Sequence, residues 1–259
     1  MGSIVHHLVG DQSIYQPLNA SDFIKKAIPI IQDCHKRQKT VYLVGGSGFY
    51  LQALLKGMYD SPTTSKEILS KSDKLYLKEG ILPFIKELEL VDQESAARYH
   101  QNDHYRVRRA LEHFWQTGTK FSDSRQEMVE KNAESPVEKY NWNILHIHLD
   151  LPKDEHFEII QTRTKNMVQA GLVNEVQALL DSGANGSEKP LLSIGYKETI
   201  GFIHGDFPDQ SSYEERLSIN TRRLAKSQRT WFKKVEKKSY HPLHEQSIIL
   251  EDCTKFLEK

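Results

Sequence analysis

Two cysteines, Cys34 and Cys253, are all the thiols in 259 residues. They are too few for a disulfide framework and too far apart for metal-ligand spacing, so a reducing, cytoplasmic setting is expected. No apolar run approaches the ~20 residues of a membrane-spanning helix, and the N-terminus lacks the basic-then-apolar order of a signal peptide. Membrane insertion and secretion are therefore disfavoured. Net charge is missing too: Lys+Arg and Asp+Glu both total 35, so the global balance announces no polyanionic partner. The chain holds no G-x-x-x-x-G-K-[ST], which excludes a self-contained P-loop. No serine, histidine and acid set carries the local signature of a hydrolase.

What is present is an ordinary globular composition, 38% hydrophobic and 27% charged, long enough for one large domain or a core with an insertion. Residues 40–44 (TVYLV) form a short β-branched run closed by Gly45-Gly46, which predicts a buried strand. Ser47 then caps a helix over 48–56, with Gly57 at its end. Upstream, 20–35 reads as a helix capped near Ser21 and kinked at Pro29. From Tyr59 the texture turns polar and helical, beginning with a loop through Ser61, Pro62 and Thr63. Within this stretch Asn102 or Asp103 caps a helix whose Val107, Ala110, Leu111 and Phe114 face inward, with Arg106, Arg109 and His113 on another face. Residues 143–149 (NILHIHL) alternate as a strand ending before Pro152. Helices follow over 154–170 and 173–182.

The last strong helix starts near Tyr213. Leu217, Thr221, Leu224, Ala225, Gln228 and Trp231 make its inward stripe. Arg222, Lys226, Arg229 and Lys233 repeat on a second face as a basic ridge. Nine cations against one acid, Glu236, fall within 216–238. The bland account of such a ridge is a solvated face; repulsion of that size also favours a polyanion, and nucleic acid is the preferred ligand. The glycine turn 45–48 reads equally as a phosphate-binding loop at a helix start or as a tight βα connection. Arg163, between Ile160 and Met167, is either a snorkelling surface arginine or a cation aimed into a cleft. His6-His7 and His146-x-His148 lack a nearby third ligand, so no metal site is assigned.

Eight separate blocks then match one family in order. His6-His7-Leu8, Ala20 to Phe23, Val44 to Leu55, Asn102 to Arg106, Arg109 to Glu112, Met167 to Leu172 with Glu175-Val176, Ile194 to Glu198, and Thr221-Arg222 with Ala225-Lys226, Gln228 and Thr230 to Phe232 together resemble tRNA dimethylallyltransferase (tRNA isopentenyltransferase). The resemblance implies an α/β fold with a P-loop-kinase-like core, the core falling in 1–59 and 141–259 and a helical insertion in 60–140. It implies transfer of a dimethylallyl group from dimethylallyl diphosphate to N6 of the adenine 3′ of the anticodon, in the tRNA anticodon stem-loop, with Mg2+ and by a monomer. By motif, Ser47 and Arg163 are the catalytic candidates, the first near the adenine and the second near the pyrophosphate. Tyr105, Arg106, Val107, Arg108, Arg109, Leu192, Ser193, Ile194, Gly195, Tyr196 and Lys197 match tRNA-contacting stretches, and Arg222, Lys226 and Arg229 join them from the ridge.

There are departures. Members of the family begin with a P-loop, followed by an aspartate that acts as general base, upstream of the block matching His6-His7; here Met1 directly precedes that block. An internal start, a truncated chain or a decayed gene each accounts for this. Ile159 and Ser227 replace frequent arginines, and Leu224 a frequent tyrosine. Little or no turnover by the chain alone is therefore expected. A non-catalytic tRNA-binding module is the alternative.

Overall fold

The computed structural model describes residues 4–58, 64–130 and 134–258. The expected loop through Ser61, Pro62 and Thr63 lies outside them, as do Met1, Gly2 and Ser3. The chain divides into two compact units, one of residues 4–52 with 143–258 and the other of residues 53–142 as far as described.

The first unit opens with α1 (Ala20–Lys36), which Asn19 rather than Ser21 caps. The Asn19 side chain accepts the Asp22 N–H at 3.0 Å, and the Asp22 carboxylate accepts the Asn19 N–H at 3.3 Å. This reciprocal box satisfies two N–H groups that the helix itself leaves unpaired. The helix continues through Pro29 without interruption. Residues 40–44 then overturn an expectation: they form no strand, and Tyr42, Leu43 and Val44 are 70%, 50% and 91% exposed. A strand exists only by pairing its backbone with a neighbour, and no described segment pairs with this one. Helix α2 (Gly48–Lys56) begins directly after Ser47, as expected.

The second unit is helical throughout its described residues: α3 (Lys66–Glu79), α4 (Leu82–Val91), α5 (Gln93–Arg98), α6 (His104–Thr117), α7 (Phe121–Glu130) and α8 (Pro136–Lys139). Its core is Phe84, Leu88, Val107, Ala110 and Leu111. Asp103 caps α6 and Gly118 closes it in the left-handed conformation, as the spacing predicts. His113 differs from expectation, being buried. Asp92 is fully enclosed and caps α5. Burial pushes its carboxyl up, but hydrogen bonds from Ser95 and Ser122 outweigh this and hold it below the usual carboxylate range.

The first unit resumes with β1 (Ile147–Leu149), α9 (Lys153–Gln169), α10 (Leu172–Asp181), a 3-10 turn at Lys189–Leu192, α11 (Tyr196–Ile203), α12 (Gln210–Phe232), β2 (Lys238–Tyr240) and α13 (Gln246–Leu257). The strands pair in parallel, with His148 opposite Ser239, and make the single sheet among the described residues. The α/β core expected from sequence is thus mostly helical here, with little sheet. Helix α12 packs along α9. Tyr213, fully buried, stacks on Phe202 at 4.7 Å and shares a 2.6 Å hydrogen bond with Thr199. At the other end Phe232 meets His146 and His148. The two ends of α12 are therefore covered while its middle is open, and Leu224, placed in the inward stripe by periodicity, is 46% exposed.

Candidate functional site

The glycine turn sits on the C-terminal half of α12. Gln228 donates from Nε2 to the Gly46 carbonyl at 3.0 Å. A Cβ at Gly46 would fall 2.2 Å from that same Nε2, and one at Gly48 would fall 2.3 Å from the Trp231 ring. At Gly48 the rigid indole leaves no room for a side chain, whereas at Gly46 the obstacle is the flexible end of Gln228, so close packing accounts for the glycine at position 48. Gly45 faces open space. Between the packed glycines Ser47 is exposed, its carbonyl accepting the first helical bond from the Leu51 N–H at 3.1 Å. Tyr50 secures the far side, donating to the Leu18 carbonyl at 2.8 Å and stacking on Phe23. The sequence pattern marks Gln228 and Trp231 as core residues; that they form the platform beneath the turn is visible only in three dimensions.

The basic ridge divides by role. Lys226 and Lys233 are exposed. Arg222 is exposed as well, but its guanidinium lies 3.8 Å over the Phe157 ring, a cation–π contact that fixes its direction. Arg229 turns aside: it donates to the Leu151 carbonyl at 2.7 Å, reaches Asp150 at 3.2 Å and faces His156 Nδ1 at 2.9 Å. It ties α12 to the start of α9. His156 consequently titrates below its ordinary value, first because burial disfavours the imidazolium and second because Arg229 is beside it.

The segment matched at Leu192 to Lys197 joins the 3-10 turn to α11. Leu192, Ser193, Ile194 and Lys197 are exposed, while Gly195 is buried with φ at +105°. Glu198, itself buried, holds the bend: one oxygen accepts the Gly195 N–H at 2.8 Å and the other the Asn220 side-chain amide at 2.7 Å. Asn220 in turn accepts from Arg223 at 3.3 Å. This chain of contacts sets the exposed segment against α12, and neither Glu198 nor Asn220 stands out in the sequence. Tyr196 donates to Glu175 at 2.5 Å, and this hydrogen bond, with burial, pushes its phenol up to about 12.

Arg163 is exposed on α9 and lines a shallow groove of about 620 Å3 with Glu158, Ile159, Thr162, Asn166, Met167 and Ala170. Because α9 alone supplies the walls of this open groove, both sequence alternatives for Arg163 stand. Ser47 and Lys226 do not line it.

In the second unit the cluster on α6 splits by face. Tyr105 is 73% exposed and Arg106 points outward, paired with Asp103. Val107 is a core residue at 2% exposure, so its side chain faces no ligand, contrary to its place among the matched contacts. Arg108 donates to Ser72 at 2.8 Å and to Asp73 at 2.5 Å, and lies over the Tyr76 ring. Arg109 donates to Thr64 at 2.6 Å and to the buried Glu112 at 3.0 Å. Helical periodicity dictates this outcome, since five consecutive residues span more than one turn.

Among the described residues one group of three could hold a metal: Glu155, His241 and His244. Two imidazoles and one carboxylate do not suit Mg2+, which takes oxygen ligands and keeps several waters.

Residues 1–235 match the family model IPP transferase. The chain is 37% identical over 230 residues to tRNA dimethylallyltransferase 1 of Trichlorobacter lovleyi, covering 89% of this chain and 73% of that one. The crystal structure of the full-length tRNA isopentenylpyrophosphate transferase of Bacillus halodurans superposes with a TM-score of 0.63 at 26% identity, covering 99% of this chain and 79% of that one. A eukaryotic dimethylallyltransferase acting on tRNA shares the fold at a TM-score of 0.69 and 20% identity, covering 95% and 63%.

Proposed function

The chain belongs to the IPP transferase family of tRNA dimethylallyltransferases, and on that premise we propose that it binds the tRNA anticodon stem-loop as a monomer and serves dimethylallyl transfer to N6 of the adenine 3′ of the anticodon. We further propose that the 259 residues alone turn over slowly or not at all. In this reaction a bond forms between N6 and the allylic carbon, the bond from that carbon to the pyrophosphate oxygen breaks, and N6 loses a proton. The target base must leave its stack to be reached, while cations hold the surrounding phosphates.

The observation that carries the reading is the seating of the glycine turn on α12. The Gln228 to Gly46 hydrogen bond attaches the exposed Ser47 hydroxyl to the same helix that presents Arg222 and Lys226. A polar group for the base, at the start of α2, is thereby tied through Gly46 to the helix that carries the cations for the backbone, and holding such groups in place lowers the cost of positioning. Arg163 in its groove supports a place for the pyrophosphate, whose departure needs positive charge nearby. The 259 residues hold no G-x-x-x-x-G-K-[ST], the motif to which the family resemblance assigns the pyrophosphate, which supports slow transfer by these residues on their own.

The test combines filter binding of an anticodon stem-loop over a salt series with transfer of labelled dimethylallyl diphosphate. Binding that weakens steeply with salt, with little label incorporated, is expected. Rapid incorporation overturns the slow-turnover proposal. Failure to bind, or binding indifferent to salt, overturns the tRNA reading.

A further inference from the structure

We propose that Glu155, His241 and His244 form a binding site for a transition-metal dication of the Zn2+ type. The site is assembled by the parallel pairing of β2 beside β1. That pairing, extended by the Asp150 N–H to Tyr240 carbonyl bond of 3.0 Å, delivers His241 to the first turn of α9, where Glu155 sits. His241 Nε2 lies 3.1 Å from the Glu155 carboxylate. The His244 ring stacks on His241 at 4.2 Å, and one ligand atom from each of the three residues lies within 4.8 Å of the others. Both histidines fall beyond the 1–235 family match.

Tetrahedral zinc with bonds of about 2.0–2.2 Å sets its ligands roughly 3.3–3.6 Å apart. The His241–Glu155 pair already has nearly that spacing. His244, exposed and with its ligand atom within 4.8 Å of the other two, would have to approach them by a side-chain rotation to complete the set. Two imidazoles and a carboxylate suit Zn2+, Co2+ or Ni2+ and leave a fourth position open to water. The His241 ring is steered from behind, its Nδ1 lying 3.3 Å from the backbone N–H groups of Leu243 and His244. Glu245 accepts the His241 N–H at 2.5 Å and holds the turn. Binding at Nε2 moves the ring proton to Nδ1, which would then face two N–H donors, so the ring turns out of both contacts when the metal binds. A metal here fastens the C-terminal segment to α9, the helix that carries Arg163.

The experiment titrates Zn2+ into the chelator-stripped full chain against a chromogenic zinc indicator, and records the visible spectrum with Co2+. One equivalent bound, an intense tetrahedral Co2+ band and a raised melting temperature are expected. His241→Ala and His244→Ala each weaken binding at least about tenfold, or ~1.4 kcal/mol, and Glu155→Gln also weakens it. A His6→Ala/His7→Ala control leaves it unchanged. His244→Ala removes an exposed ring whose one ring contact is the stack on His241, so its metal-free fold is retained with at most a small fall in melting temperature. The proposal is overturned if the parent binds no stoichiometric metal, or if His244→Ala binds as tightly as the parent.

Discussion

Replacing Gly48 by alanine puts the packing of the glycine turn on α12 to a direct test. Gly48 is the first residue of α2, and its backbone lies outside the left-handed region. On local grounds alone the substitution therefore helps: alanine loses less backbone entropy on folding, a gain of about 0.4–1 kcal/mol. Tertiary packing has the opposite sign. The new methyl would lie 2.3 Å from two carbons of the Trp231 ring, whereas carbon atoms settle at about 3.5–4.0 Å. A rigid indole must retreat by more than about 1 Å, and it is itself packed edge-on against Phe232 at 4.7 Å. Overpacking of this kind costs about 1–3 kcal/mol, so a net loss of about 1–2 kcal/mol is expected. That corresponds to a fall in Tm of roughly 2–8 °C for a chain of this size. Urea unfolding followed by tryptophan fluorescence measures it, with Gly45→Ala as the control because its Cβ meets open space. If Gly48→Ala equals or exceeds the parent in stability, the turn does not rest on Trp231 as described.

Lys226→Ala, at an exposed position, should weaken stem-loop binding and reduce the slope of log K against log salt by about one unit, without altering stability. Arg229→Ala should act mainly on the fold, because it strands the Leu151 carbonyl and Asp150; a loss of about 1–2 kcal/mol by chemical denaturation is expected. Acidification should destabilise the chain. His146, His148 and His156 all titrate below 6.5, chiefly from burial, so between their lowered values and 6.5 the unfolded chain binds more protons and stability rises with pH. His156→Gln should flatten that part of the curve, and an unchanged curve would refute the assignment. Tyr196 works at the other extreme: raised from 10 to about 12, its contact with Glu175 is fully present below pH 10 and is lost as pH rises through 12. Tyr196→Phe should remove that alkaline component.

How much could be read from residues alone follows from the range of the forces involved. The α6 helix with its cap at Asn102 or Asp103, the start of α2 after Ser47, the extents of α9 and α10 and the presence of α12 were legible because capping and 3.6-residue periodicity act within a few positions. Family membership was legible for a related reason, since ordered blocks of residues carry it without any knowledge of their contacts. Residues 40–44 misled because a strand is a property of two segments, and the sequence of one cannot state whether the other is beside it. The same limit hid β2, the Glu198–Asn220 link and the meeting of Glu155 with His241 across 86 positions. Composition could count the cations between 216 and 238, but not sort them. Only the approach of α9 to α12 decided that Arg229 faces Leu151 and His156 while Lys226 faces solvent, because the direction of a long side chain is set by what lies across from it.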